Sequence, residues 1–367
     1  MRCIVFIVEK PFAVRALAPH ISARWPGAKA CAITTLLTGL YEFRYPRGLS
    51  MSAFPRVAEP QWKPRLPTPP AVWDIYAGQP VGSDQAPADR LLSADEIWFA
   101  ADPDASGAVA YDVLLRQCLG DAAAMAKRPA LQLQGLDARS IEAAFDAGAT
   151  TGDAWFLAAR NAGIFRRFFD FNFNVNALAL FGQELALAGS PAGNVSKYSL
   201  QLLYALRGQP AASEADLIQM MQHWTGTGRY APIPMGSAAS RGAILLGLIK
   251  AQLVEKDANG DMALSTPGEA FLQLLHPDCR DPDLPARIVQ WGNAWPASRP
   301  NVERYLRSFF GKQARFSRST TTLSMPVQDG EIGHMLLLSR EGQGEDKSML
   351  LKIEALKNKR MKDETRS

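Results

Sequence analysis

Acidic residues set where apolar runs stop carry the strongest chemical signal in this chain. The run Ile97-Trp98-Phe99-Ala100-Ala101 breaks off at Asp102-Pro103-Asp104, and Gly107 follows. Two carboxylates this close offer hard oxygen donors, a set that suits Mg²⁺ with water and phosphate oxygens completing its shell. The same tripeptide also initiates turns and caps helices, so both uses stay open from these residues alone. A third acid, Glu9, ends the apolar run from Cys3 to Val8 and is joined to Lys10-Pro11.

The elements that must position these acids are legible from pattern. Both apolar runs are short and rich in β-favouring residues, so each reads as a buried strand. Each passes into a helix, one over the residues after Gly107 and one with apolar positions at Phe12, Leu17 and Ile21. In a doubly wound sheet, chemistry gathers beyond the carboxyl ends of the strands, which would let Glu9, Asp102 and Asp104 meet. Further strands are expected within Ala28 to Leu37 and at Ala130 to Leu133. The proline-rich passage Phe54 to Trp73 cannot be helical and reads as a surface excursion. Asp137 and Gly148 bound a helix. Asp153 to Leu187 is helical and apolar, with an interruption expected at Asn172 to Asn176.

Composition bounds the class. With 367 residues and 47% hydrophobic content, the chain can bury a substantial core and form two or three domains. The formal charge of +4 is compatible with a phosphate-backbone partner without demanding one. Four scattered cysteines form no C-x-x-C pair and the four histidines are scattered too, which argues against a zinc site or a disulfide framework and fits a reducing cytoplasm. The first apolar run is too short to span a membrane and leads into Glu9-Lys10-Pro11, not a cleavage site, and no later run reaches spanning length.

The stretches IVEKPFAV and ADPDASGA resemble the TOPRIM domain of type IA DNA topoisomerases, nearest the topoisomerase III style. There an E-K-P turn follows the first strand and D-x-D-x-x-G-E a later one. The resemblance implies Mg²⁺ held by Glu9, Asp102 and Asp104, with Glu9 a ligand or proton-transfer group and Lys10 beside it as a catalytic residue. Ala108 stands where that motif has its last acid, and Ala105-Ser106 where it has a charged pair. Thr38-Gly39-Leu40 stands where the family has G-H-L. Tyr45-Pro46-Arg47 with Ser50 matches the family's tyrosine motif in letters. It lies before the acidic strand, however, whereas the catalytic tyrosine belongs to a separate domain well downstream, so the match is a coincidence.

The second half continues the resemblance with departures. Val195 to Leu206 reads VSKYSLQLLYAL where the family uses an arginine and a glutamine near DNA, which makes Lys197 and Gln201 partial substitutes; a packed helix through Leu200, Leu203 and Tyr204 is the alternative. The long arch with the catalytic tyrosine has no room between Arg207 and Ser213. Ser240 and Arg241 match the threonine and arginine at a helix start and are the best-placed phosphate contacts. Read without any family, Ser213 to Trp224, Gly236 to Lys256, a hairpin around Asp257 to Asp261 and a helix from Pro267 to Leu275 make a winged-helix-like module over residues 213–276. Trp291, Trp295, Tyr305, Phe309 and Phe310 are expected to pack a further helical region onto it. Lys312, Arg315 and Arg318 with Phe316 form a basic run, Thr320 to Gly344 a hairpin, and Lys347 to Ser367 a basic helix or tail.

The expected organisation is thus an α/β TOPRIM domain with a Rossmann-like sheet over residues 1–150. A mainly α DNA-binding region with the winged-helix-like module follows over 151–300, then a basic C-terminal extension over 301–367. The expected function is DNA binding, on single-stranded or partly unwound DNA, in a topoisomerase relative unable to complete cleavage and strand passage alone. Two alternatives stand beside it. One is a Mg²⁺-dependent nuclease in which metal-activated water replaces the tyrosine, against which Ala108 argues. The other is a scaffold whose C-terminal region holds a protein partner.

Overall fold

The computed structural model describes residues 1–34, 40–46, 49, 54–65, 71–81, 86–191 and 195–320. In chain order its first half comprises β1 (Cys3–Val8), α1 (Pro11–Arg24), β2 (Lys29–Thr34), β3 (Tyr41–Phe43), β4 (Trp62–Pro64), β5 (Val72–Asp74), β6 (Gln79–Pro80), α2 (Pro87–Leu92), β7 (Glu96–Phe99), α3 (Ala105–Leu119), α4 (Asp121–Met125) and α5 (Ala138–Asp146). The rest comprises α6 (Ala154–Leu187), α7 (Lys197–Leu206), α8 (Glu214–Gln222), α9 (Ala238–Lys250), β8 (Val254–Lys256), β9 (Met262–Leu264), α10 (Thr266–Gln273), α11 (Leu284–Asn293) and α12 (Arg299–Thr320). The result is a mixed α/β N-terminal part and a mainly helical C-terminal part.

Two compact units divide the chain differently from a cut by sequence order. The first holds Met1–Arg44, Glu59–Phe169 and Gln290–Arg299; the second holds Tyr45–Ala58, Asp170–Val289 and the chain from Pro300. Phe165 and Phe168 of the first unit receive Trp295, with ring centroids 5.7 and 5.3 Å away, and Phe169 receives Trp291 at 6.1 Å. The two tryptophans therefore pack on the first unit, not on the helical module expected from sequence. An aromatic ring seeks the nearest apolar cluster in space, which sequence order does not give.

A five-stranded sheet in the order β6-β5-β2-β1-β7 forms the first unit's centre. β1 runs parallel to both β2 and β7, while β5 and β6 add an antiparallel extension. Five of the six β1 residues are buried, as a strand covered on both faces requires. One face packs Val5, Ile7, Phe99, Tyr111 and Phe156. The other packs Phe6, Val14, Leu17, Ile21 and Phe145, with Trp25 and Trp98 closing the aromatic group. Phe12, expected on this apolar face, is instead 57% exposed, and Ala13 and Val14 take its place. Ala130 to Leu133 makes only a single bridge beside β7, Ala130 to Phe99, with the Leu131 amide donating to the Phe99 carbonyl at 2.7 Å. Within the proline-rich passage, β4 pairs with β3 and β5 joins the main sheet.

α6 is unbroken over 34 residues, so the expected interruption at Asn172 to Asn176 does not occur. Asn172 and Asn176 are fully buried, four residues apart on one face, with their amides bonded to neighbouring backbone. Side-chain polarity misled the reading because both polar ends find partners inside the core. In the second unit Phe173 and Phe181 meet Phe310 of α12, and Phe181 meets Phe271 of α10. β8 and β9 form the expected hairpin, and an isolated antiparallel bridge joins Ala212 to Met262 beside it.

Thr38, Gly39, Arg47, Ser50, and the calls on the hairpin and tail beyond Thr320 lie outside the described residues. Among the described residues no helix is long and apolar enough to cross a membrane.

Candidate functional site

The parallel register fixes two of the acids beside each other. Ile7 of β1 lies opposite Phe99 of β7, and the Ala100 amide donates to the Ile7 carbonyl at 2.8 Å. Continuing both strands past their ends brings Glu9 next to Asp102. Gly107 lets the Asp102 turn lie against the first turn of α3: a Cβ there would stand 2.2 Å from the Asp102 carbonyl oxygen, closer than any real contact. The glycine is needed for this close approach.

Lys10 lies between the paired acids. Its Nζ is 3.5 Å from Glu9 Oε1 and 3.6 Å from Asp102 Oδ2. Burial, then a shared hydrogen bond with Asp102 and that residue's negative charge, push the Glu9 carboxyl up to about 7, with Lys10 pulling the other way. Partial burial acts to lower Lys10, but Glu9 and Asp102 together outweigh it and hold the ammonium above its ordinary value. Glu9 Oε2 is buried without a hydrogen-bond partner among the described residues, as a protonated or closely shared carboxyl allows.

Asp104 does different work. It is the N-cap of α3, and its Oδ1 accepts from the amides of Ser106 and Gly107, both at 2.8 Å. The turn-and-cap use of Asp-Pro-Asp left open by the sequence is the one this residue adopts. Ala108 is fully buried in the sheet's apolar cluster.

These residues do not fit a divalent cation. Mg²⁺ asks for near-octahedral oxygen donors, and carboxylates supply them as charged groups. Here one carboxylate oxygen of Asp104 is committed to a helix cap, and the Lys10 ammonium already lies within 3.6 Å of an oxygen from each of the other two acids. Among the described residues no group of three or more His, Cys, Asp or Glu side chains is arranged to hold a metal.

The second unit gathers another group at the start of α9. Arg241, in the first turns of that helix, is only 7% exposed. One guanidinium nitrogen donates to the Gly236 carbonyl at 3.3 Å, and its Nε has no partner among the described residues. Ser237 occupies the N-cap without bonding the first-turn amides through its side chain, and its hydroxyl donates to that of Ser240 at 3.1 Å. Gly236 has φ +73°, and a Cβ there would stand 2.8 Å from Ser240 Oγ and 3.8 Å from Tyr198. The helix start is thus packed closely enough, at a positive φ, to require a residue with no side chain at 236. Gly236, Ser237 and Tyr198 were not singled out from sequence, since nothing in their order along the chain marks them as neighbours.

Lys197 and Gln201 part company. The Lys197 ammonium pairs with Asp170 and lies 4.6 Å from the Tyr198 ring centroid. Gln201 is 1% exposed: its Nε2 donates to the Cys279 carbonyl at 3.0 Å and its Oε1 accepts from the Asp281 amide at 2.7 Å. The expected DNA contact at Gln201 is therefore corrected to a core bracket, because both ends of its amide are committed to buried backbone. The packed-helix alternative for this segment holds at Leu200 and Leu203, both fully buried.

Tyr45 stacks on Phe171 at 5.7 Å and 13°, and its hydroxyl accepts from Asn174 at 3.3 Å. In the basic run, Lys312 pairs with Asp278 and Phe316 meets the edge of His276.

No protein-family model matches the chain, and no curated protein matches it. Among solved structures, the full-length topoisomerase I from Thermotoga maritima is similar over 55% of this chain and 29% of its own length, with 12% sequence identity and a TM-score of 0.37. The chain spans less than a third of that protein.

Proposed function

We propose that this chain is a DNA-binding protein of type IA topoisomerase-like origin that holds a backbone phosphate at the start of α9. The supporting observation is the buried Arg241 guanidinium, whose Nε lacks a partner beside a helix N-terminus with no side-chain cap. A buried cation is costly without a counter-charge, and helix-start amides favour an anion at the same spot. A phosphodiester satisfies both. The order α7, the Ala212 bridge, α8, α9 and the β8–β9 hairpin is consistent with a winged helix, in which the α9 position commonly faces nucleic acid.

In this reading the chain binds single-stranded or partly unwound DNA and acts as an accessory in DNA processing. The passage from Arg207 to Ser213 leaves no room for the arch that carries the family's nucleophile, and a phosphoryl transfer to tyrosine needs that group at the site.

The test is fluorescence anisotropy of single-stranded and duplex oligonucleotides titrated with the full chain at several salt concentrations. Affinity should fall with salt, and Arg241→Ala should weaken it about tenfold and reduce the salt slope by about one. Gly236→Ala, whose Cβ would press on Ser240 Oγ at the helix start, should weaken binding without removing a charge. Salt-insensitive or unchanged binding in both variants would overturn the reading, and plasmid relaxation with a trapped tyrosine adduct would overturn its non-cleaving part.

A further inference from the structure

We infer that Lys10 is the resident cation of the strand-end carboxylates, and that its ammonium keeps divalent ions out of the free protein. The inference concerns the first unit alone and is independent of the DNA reading, because it is tested without nucleic acid.

Three observations carry it. The ammonium stands within 3.6 Å of one oxygen from each of Glu9 and Asp102, the two acids the sheet brings together. Asp104 offers no free pair of oxygens, since its Oδ1 is held by two helix amides at 2.8 Å. Ala108 faces the apolar cluster with no exposed surface, so no further acid replaces it. A divalent ion seated between Glu9 and Asp102 would have to expel Lys10 or sit against its charge, and two cations at such distances repel even where water, which reaches Asp102, screens part of the effect.

Removing the charge should reverse the preference. In a Lys10→Met chain, Glu9 and Asp102 face each other with no neutralising group but a shared proton, and a hard cation that displaces that proton finds two carboxylates with water. Lys10→Arg keeps the positive charge and should behave as the natural chain does. The role assigned to Lys10 is thus electrostatic occupancy, not proton transfer.

The experiment measures Mn²⁺ binding to the full chain by electron paramagnetic resonance, with Mg²⁺ as competitor. The natural chain and Lys10→Arg should show only weak, non-saturating binding, while Lys10→Met should bind at least about tenfold tighter. Adding Asp102→Asn to Lys10→Met should abolish the gain, which locates it. Lys10→Gln serves the same purpose if the methionine variant does not fold, as judged by circular dichroism. Saturable binding by the natural chain that Asp102→Asn removes would overturn the inference, and so would the absence of any gain in both uncharged variants.

Discussion

Asn172 and Asn176, one helical turn apart on α6, each clasp the amide and the carbonyl of one residue in the segment before Glu59. The Ala58 amide donates to Asn172 Oδ1 at 2.8 Å and Asn172 Nδ2 donates to the Ala58 carbonyl at 2.9 Å. The same pair of bonds joins Asn176 to Arg56 at 2.8 and 2.6 Å. Four helical residues advance about 6 Å. Two residues of extended chain advance about 6.6 Å, so side chains four apart on a helix can meet amides two apart on such a segment.

Asn172→Ala should therefore cost about 1–3 kcal/mol, because it leaves the half-buried Ala58 amide and carbonyl without this partner and opens a cavity where the buried side chain stood. Asn172→Asp should be nearly as damaging, since a carboxylate accepts from the Ala58 amide but cannot donate to its carbonyl. Urea denaturation of the two variants checks both. A loss below about 0.5 kcal/mol for Asn172→Ala would show that the segment is not held by this clasp.

Gly107→Ala should displace the acidic turn. Its Cβ would overlap the Asp102 carbonyl oxygen, which is backbone and cannot rotate away. A loss of about 2–3 kcal/mol is expected from forced backbone movement, with altered chemical shifts at Glu9 and Asp102 as the local readout. Unchanged stability and unchanged shifts would mean that the turn yields freely.

How far the sequence disclosed all this depended on whether a residue's partners were close in sequence or only in space. The strands that end at Glu9 and Asp102 were legible because runs of β-favouring residues stop at charged turns, and the cap at Asp137 because its partner Ser140 is three residues away. The role of Asp104 was written there too, as one of two open readings, and only geometry chose between them. Gln201, Trp291 and Trp295 were misplaced because their partners lie far along the chain: Cys279 and Asp281 for the first, the phenylalanines of α6 for the others. Asn172 and Asn176 looked like a break since polarity alone cannot tell a buried, satisfied amide from an exposed one. The group at the start of α9 was half visible, through Ser240 and Arg241. The rest of it, Gly236 and Tyr198, needed the fold.

Glu9 makes stability depend on pH. In the unfolded chain its carboxyl ionises near the ordinary value of 4.5, whereas in the folded chain it holds its proton up to about 7. Between these values the unfolded state binds fewer protons, so stability falls as pH rises through the window and stays lower above it. Glu9→Gln, which cannot ionise, should be more stable than the natural chain by about 1–2 kcal/mol at pH 8, allowing for partial solvent screening, and should show no such gain at pH 4. Thermal melts at the two pH values, in buffer free of divalent ions, decide it. A gain that is equal at both would mean that ionisation of Glu9 is not the cause.

Gln201 and Arg241 should separate folding from DNA affinity. Gln201 joins α7 to the backbone at Cys279 and Asp281, and neither end of its amide reaches solvent. Gln201→Leu keeps much of the volume but orphans a buried carbonyl and a buried amide, so it should cost about 2–4 kcal/mol in urea denaturation. At a temperature where the variant remains folded, its affinity for single-stranded oligonucleotide should stay within about twofold of the natural chain, against the roughly tenfold loss expected for Arg241→Ala. The contrast follows from where each polar group points: the glutamine has both partners inside the protein, and the arginine has a nitrogen with none. A specific loss of DNA affinity in the folded Gln201→Leu chain would show that α7 meets the nucleic acid after all.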